Sequence, residues 1–384
     1  MGVVVAKGKT SVSTAIKGLK GVIAADSEVC FIDGQQGILS YRGYSIHGLA
    51  ENSTFEEVAF LLLEGDLPTR RQLDEFCATL ASQRDVPPPV IAFLRTVPKD
   101  AVTMSVLRTA VSVAGLYDPQ AEEHSPAANR TNSMRLIARM GSIVAAFHRL
   151  RQGLEPMAAR ADLGHAANFL YQLNGRVPSK QETRAMDMIL VLHAEHSFNA
   201  STFAGRVVGA TLSDMYSAIV GAIGALKGPL HGGANTEVLN TLMEIGTVDN
   251  VEAWVAAQLA KKAKFMGFGH AVYQVEDPRA PHLKDLSRQL GEEKGDPKWY
   301  EMSVKLEGLV KEALQKNCNV DFYSASLQHY MGVPGDLFTC IFAVSRIAGW
   351  CAHILEQWSD NKIIRPSCNY TGPADRAYVP IERR

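Results

Sequence analysis

Residues 336–358 are apolar almost all the way round a helix: Leu337, Phe338, Ile341, Phe342, Val344, Ile347, Trp350, Ile354, Leu355 and Trp358 leave no continuous polar face. Such a helix is stable only when other elements cover every side, so the chain must build a large domain, or an interface, around it. Arg346 falls in its middle. A guanidinium there needs an anionic partner, from protein or ligand, because an unpaired buried charge is strongly destabilising.

The rest of the chain supplies the cover. Helical periodicity runs near 101–115, 132–151, 162–173, 180–195, 202–226, 236–245, 250–265, 281–291, 297–316 and 322–331. Ser53-Thr54 before Glu56-Glu57 starts an earlier helix, and Pro68-Thr69 starts another that runs to about Arg84, where Pro87-Pro88-Pro89 breaks the chain. Residues 118–131, with two prolines, read as a surface loop. Only residues 27–46 read as strand, around Asp33-Gly34. The expected class is all-α with a small N-terminal β element.

Charge and cysteine usage exclude several functions. With 39 basic and 40 acidic residues, the chain has no global field for nucleic acid or anionic membrane. Residues 1–20 have no long apolar core, so a secretory leader is not expected. The uncharged run 215–226 is shorter than the roughly 18 residues that a bilayer requires. The six cysteines show no C-x-x-C and no zinc-like spacing, which fits reduced thiols in a cytoplasmic protein.

Four features carry chemistry. His231 sits between Pro229-Leu230 and Gly232-Gly233 at a helix junction. Facing a helix N-terminus, its ring would stay neutral and donate a hydrogen bond. In Gly267-Phe268-Gly269-His270, followed by Asp277-Pro278-Arg279, the glycines admit close approach, His270 offers a donor and Arg279 an anion fork. Asp321, beside Phe322 and Tyr323, suits a partly desolvated base, or an N-cap for the helix starting near Phe322. His196, Arg346 and Arg365 are further anion grips; His193 and His196, three apart on one helical face, could also bind metal, but no third ligand has suitable spacing.

The Leu230-His231-Gly232-Gly233-Ala234-Asn235 string, the 267–279 loop and Val320-Asp321-Phe322-Tyr323-Ser324 together resemble citrate synthase. The resemblance extends from Ile32-Asp33-Gly34 to Ile364-Arg365-Pro366. It implies a large helical domain of residues 1–232 and 333–384, a small one of residues 233–332, and an active site in the cleft between them. By resemblance, His231 and Asp321 act on acetyl-CoA, His270 acts on oxaloacetate, and His196, Arg279, Arg346 and Arg365 bind oxaloacetate. Arg365 matches an arginine that reaches the neighbouring active site, which implies a homodimer. Lys264, Phe265, Met266, Gly267, Phe268 and Gly269 are the implied CoA contacts, through backbone. No metal or cofactor is implied.

Gln274, Ser367 and Ala271 depart from basic residues common in relatives, and Lys261, Lys262 and Lys264 offer cations instead. The chain begins close to the Ile32-Asp33-Gly34 motif, so the expectation is a dimer without NADH inhibition. The rival activity is 2-methylcitrate synthesis from propionyl-CoA. A reading of another class is a non-catalytic helical protein whose histidines bind metal.

Overall fold

The computed structural model describes residues 15–384; the leader expectation for residues 1–20 lies outside them over its first 14 residues. Near the N-terminus, β1 (Cys30–Asp33), β2 (Ile38–Tyr41) and β3 (Tyr44–Ser45) form an antiparallel sheet in that order, with Phe31 opposite Ser40. Asp33 closes the first turn by accepting the Gln35 and Gln36 amides. All that follows is helical: α1 (Ile46–Asn52), α2 (Phe55–Glu64), α3 (Arg70–Ser82), α4 (Pro88–Thr96), α5 (Thr103–Leu116), α6 (Pro126–Arg151), α7 (His165–Asn174) and α8 (Lys180–His193). Then come α9 (Ala200–Gly209), α10 (Met215–Leu226), α11 (Ala234–Ile245), α12 (Val251–Ala260), α13 (Ala280–Lys294), α14 (Lys298–Leu314), α15 (Val320–Tyr330) and α16 (Phe338–Ser359). Three helices open on reciprocal caps, Thr54 with Glu57, Thr69 with Gln72 and Ser179 with Glu182.

α16 is the central helix. Its Ile341, Val344 and Ile347 are fully buried, and α2, α6, α8, α9 and α10 pack around it. By length and composition it could cross a bilayer, but protein covers it instead. It approaches the end of α8 so closely that a Cβ at Gly349 would overlap Glu195 Oε2 and the Ala194 carbonyl oxygen. Residues Ser27–Lys362 form one compact unit; the described terminal segments, 15–26 and 363–384, belong to another.

Three boundaries differ from the sequence reading. Pro88 begins α4 rather than ending order, because proline is favoured in the first helical turn. Ser125 caps α6 and Pro126 opens it, so half of the expected 118–131 loop is helix. The expected 202–226 helix is two, separated where Leu212 adopts φ 62° and Asp214 caps α10.

Candidate active site

The loop after α12 is pinned from two sides. Gly267 and Gly269 take φ of 80° and 75°, which disfavour any side chain. A Cβ at Gly267 would also lie 2.7 Å from Val238 Cγ2. The Gly269 amide donates to the Asn317 carbonyl at 2.9 Å, the Asn319 amide donates to the Gly267 carbonyl at 2.9 Å, and Asn319 Nδ2 donates to the Gly269 carbonyl at 2.8 Å. From the opposite side the Gln274 amide donates to the Gly34 carbonyl at 2.8 Å, joining the loop to the β1–β2 turn. The loop bearing His270 and the helix start bearing Asp321 are therefore one rigid body.

Asn319, not Asp321, is the N-cap of α15: its side chain accepts the Asp321 amide at 3.0 Å. Asp321 lies inside the first turn. Among the described residues nothing hydrogen-bonds its carboxylate, so the group is free of the capping duty that the sequence allowed it. Burial raises its pKa to about 6, against the pull of Arg279 and Arg346.

Both candidate donors have fixed tautomers. His270 Nδ1 accepts the amides of Val272 at 3.0 Å and Tyr273 at 3.2 Å, which leaves the proton on Nε2. His231 Nε2 accepts the Ser201 amide at 3.3 Å at the start of α9, which leaves the proton on Nδ1. Asn199 Oδ1 and Ser201 Oγ lie 3.2 and 2.9 Å from the same nitrogen. The helix N-terminus anticipated for His231 is thus that of α9. Burial, then Arg346, lowers the His231 pKa to about 4; burial, then Arg279, does the same for His270. At neutral pH each ring is an uncharged hydrogen-bond donor.

The cations differ in what they hold. Arg279 is buried and bidentate to Asp277, through Nε at 2.9 Å and Nη2 at 2.8 Å, and Asp277 also accepts the Val320 amide at 3.2 Å. Arg346 is equally buried, yet no carboxylate pairs with it among the described residues: Nε donates to the His193 carbonyl at 2.7 Å and the guanidinium lies over Phe342. Its anion must come from elsewhere. His196 Nε2 lies 3.1 Å from the Tyr273 hydroxyl, and its ring is 5.3 Å from that of His270. Burial, helped by Arg279 and Arg346, holds its pKa well below the histidine norm. α8 ends at His193, whose Nδ1 donates to the Ile189 carbonyl at 2.9 Å. The two histidines therefore share no helical face.

His196, His231, His270, Arg279, Asp321 and Arg346 all line one cleft of about 460 Å³, within the usual range for a small-ligand site. Of the expected CoA contacts, Gly269 lines it; Phe265 and Phe268 turn their side chains into the core, Met266 is half-buried and Lys264 is exposed. Arg365 is exposed and belongs to the terminal unit. Sequence reasoning passed over Asn199, Ser201, Tyr273 and Asp277. Asn199 before Ala200-Ser201-Thr202 was a readable cap, and Asp277 lies two residues from the arginine it holds.

A family model described as "Citrate synthase, C-terminal domain" matches residues 18–367. Citrate synthase 2 of Bacillus subtilis is 50% identical over 97% of this chain and 100% of its own length. A 2-methylcitrate synthase of Shewanella oneidensis is 42% identical over 96% of this chain and 97% of its own. Among solved structures, the ternary complex of Thermoplasma acidophilum citrate synthase with carboxymethyl coenzyme A and oxaloacetate superposes with a TM-score of 0.89, at 34% identity, over 95% of this chain and 98% of that one.

Proposed function

The chain belongs to the citrate synthase family, condensing acetyl-CoA with oxaloacetate and water to citrate and CoA, and we propose that its chemistry is carried by the cleft around Asp321, His231 and His270. A thioester α-proton is only weakly acidic. Its removal needs a base on one side and a donor at the forming enolate oxygen on the other. Asp321 takes the proton, and His231 Nδ1–H donates to the thioester oxygen. The enolate carbon attacks the ketone carbon of oxaloacetate, and His270 Nε2–H stabilises the resulting alkoxide. Water then hydrolyses the citryl-CoA thioester. Arg346, Arg279 and His196 hold the oxaloacetate carboxylates and carbonyl, with Arg365 contributed by the second subunit of a homodimer. All of the donors are protein groups, so the scheme calls for no metal or cofactor.

The observation that carries this reading is the tautomer pair. Backbone amides occupy Nε2 of His231 and Nδ1 of His270, so each ring presents a neutral N–H beside a carboxyl of raised pKa. The unpaired Arg346 adds a waiting anion site. The cleft is lined by residues from 32–231, 234–321 and 342–346. We assign these to a large domain (1–232 and 333–384) and a small one (233–332) that close on oxaloacetate, with the 264–269 backbone meeting the adenine of CoA. Six unbridged cysteines are in keeping with a cytoplasmic setting.

The test is CoA release with oxaloacetate, run on acetyl-CoA and propionyl-CoA in parallel. One methylene is worth about 1–3 kcal/mol of discrimination. A kcat/KM higher for acetyl-CoA is expected, and a preference for propionyl-CoA would make this a 2-methylcitrate synthase instead. Arg365→Ala should raise the oxaloacetate KM, and light scattering should report a dimer.

A further inference from the structure

Behind the oxaloacetate end of the cleft lies a group of ionisable side chains that the mechanism does not use. Glu195 is fully buried, next in sequence to His196. Its Oε1 lies 2.9 Å from His353 Nε2, and its Oε2 is buried with no hydrogen-bond partner among the described residues. The other ring nitrogen of His353 lies 3.2 Å from Arg206 Nη1 and 3.6 Å from Glu356 Oε2, and Arg206 pairs with Glu356 at 2.7 Å. Against the group also lie the Phe198 ring, facing both His353 and Arg206, the Glu28 amide, which donates to Glu356 at 2.8 Å, and the Ser27 side chain, which hydrogen-bonds Glu356.

This group is tied to the substrate grips on the same helix, α16. Arg346 donates to the His193 carbonyl, the Gly349 amide donates to the Ala194 carbonyl at 3.2 Å, and His353 meets Glu195: successive turns hold the 193–196 segment. Tyr41 closes it from the other side, its hydroxyl donating to the Glu195 carbonyl at 3.0 Å. Glu195 exerts the largest charge effect on Arg346, yet forms no ion pair with it. The Cys30 thiol and the Tyr41 hydroxyl also lie within its field.

Two carboxylates and one guanidinium leave this group at net −1, and a proton on His353 brings it to neutral. We propose that Glu195, His353, Arg206 and Glu356 form a one-proton charge cell behind Arg346, and that His353 acts as a positioning residue whose proton sets how strongly Arg346 and His196 grip the substrate's carboxylates. With the proton in place, Arg346 offers its full charge to the dianion. Without it, the uncompensated Glu195 carboxylate opposes the substrate. Burial works to release the proton, but Glu195 and Glu356 outweigh it and hold it above the usual histidine value. Asp321, at about 6, and His231 and His270, at about 4, have already titrated below that range.

The inference rests on the assignment of Arg346 to an oxaloacetate carboxylate, and the experiment separates the two. In the wild type, the oxaloacetate KM should rise roughly three- to tenfold from about pH 6.5 to 9, with little change in kcat over that range. Glu195→Gln makes the cell neutral without the proton, so its KM should stay at the low wild-type value across the range. His353→Gln keeps the cell at net −1, so its KM should sit at the high value throughout. A merely structural role would move both variants the same way. Independently of any variant, calorimetry of wild-type oxaloacetate binding near pH 8, in buffers of different ionisation enthalpy, should show proton uptake. Equal shifts in both variants, or no proton uptake, would overturn the charge cell. An Arg346→Ala enzyme with an unchanged oxaloacetate KM would overturn the carboxylate assignment beneath it.

Discussion

Replacing Asp321 by asparagine should make the ligand-free protein inactive and more stable at once. Burial takes the carboxyl from 3.8 to about 6 in the folded chain. The unfolded chain is then the better acid, so folding loses stability as pH rises through that window and the full penalty stands above it. About two pKa units correspond to a cost of about 3 kcal/mol at pH 8. Asparagine removes that cost and gives up the favourable charge of an acidic residue in the first turn of α15, worth about 0.3–1 kcal/mol. The cap itself, Asn319, is untouched. The net gain is about 2 kcal/mol, a rise in Tm of roughly 2–3 °C for a chain of this size. At pH 5 the folded carboxyl is already mostly protonated, so the gain should fall to about half. Thermal unfolding of both proteins at the two pH values, beside a turnover assay in which kcat falls by about 10²–10⁴-fold, tests both halves. A variant no more stable than wild type at pH 8, or one with an equal gain at both, would refute the burial argument.

Two further outcomes follow from the same geometry. The pH profile of kcat/KM for acetyl-CoA should lose activity as pH falls through about 6, where Asp321 protonates, and no histidine limb should appear until about 4; a limb near 6 that persists in the residual activity of Asp321→Asn would mean that the donors, not the base, titrate there. Gly349→Ala should cost several kcal/mol or abolish soluble expression, roughly the upper range for single substitutions, because its methyl group would overlap Glu195 and the Ala194 carbonyl; a variant with wild-type denaturant midpoint would show that α16 can move away.

The sequence was most readable where one local rule acts alone. The Ser53-Thr54 start before Glu56-Glu57 and the all-round apolar 336–358 run identify α2 and α16 directly. Arg346 in that run called for an anionic partner from protein or ligand; its guanidinium is buried, and no carboxylate pairs with it among the described residues. Reading failed where two rules compete. Pro87-Pro88-Pro89 breaks one helix and begins another, and periodicity alone ran α9 and α10 together across the left-handed Leu212. Roles that depend on distant backbone were out of reach. That His231 is held by the Ser201 amide depends on segments 30 residues apart meeting in space; that Asn319 relieves Asp321 of capping is local, but two nearby cap-formers left the choice open.

The central claim is a division of labour: Asp321 and His231 form the enolate, and His270 acts only on the partner substrate. Exchange of the acetyl-CoA methyl protons in D₂O, with a non-reacting oxaloacetate analogue present, isolates the first half. Wild type should exchange; Asp321→Asn and His231→Asn should each lose exchange by about 10²–10⁴-fold. His270→Asn should retain most of its exchange while losing citrate formation. Persistent exchange in the Asp321 variant, or its loss in the His270 variant to the same degree, would contradict the account.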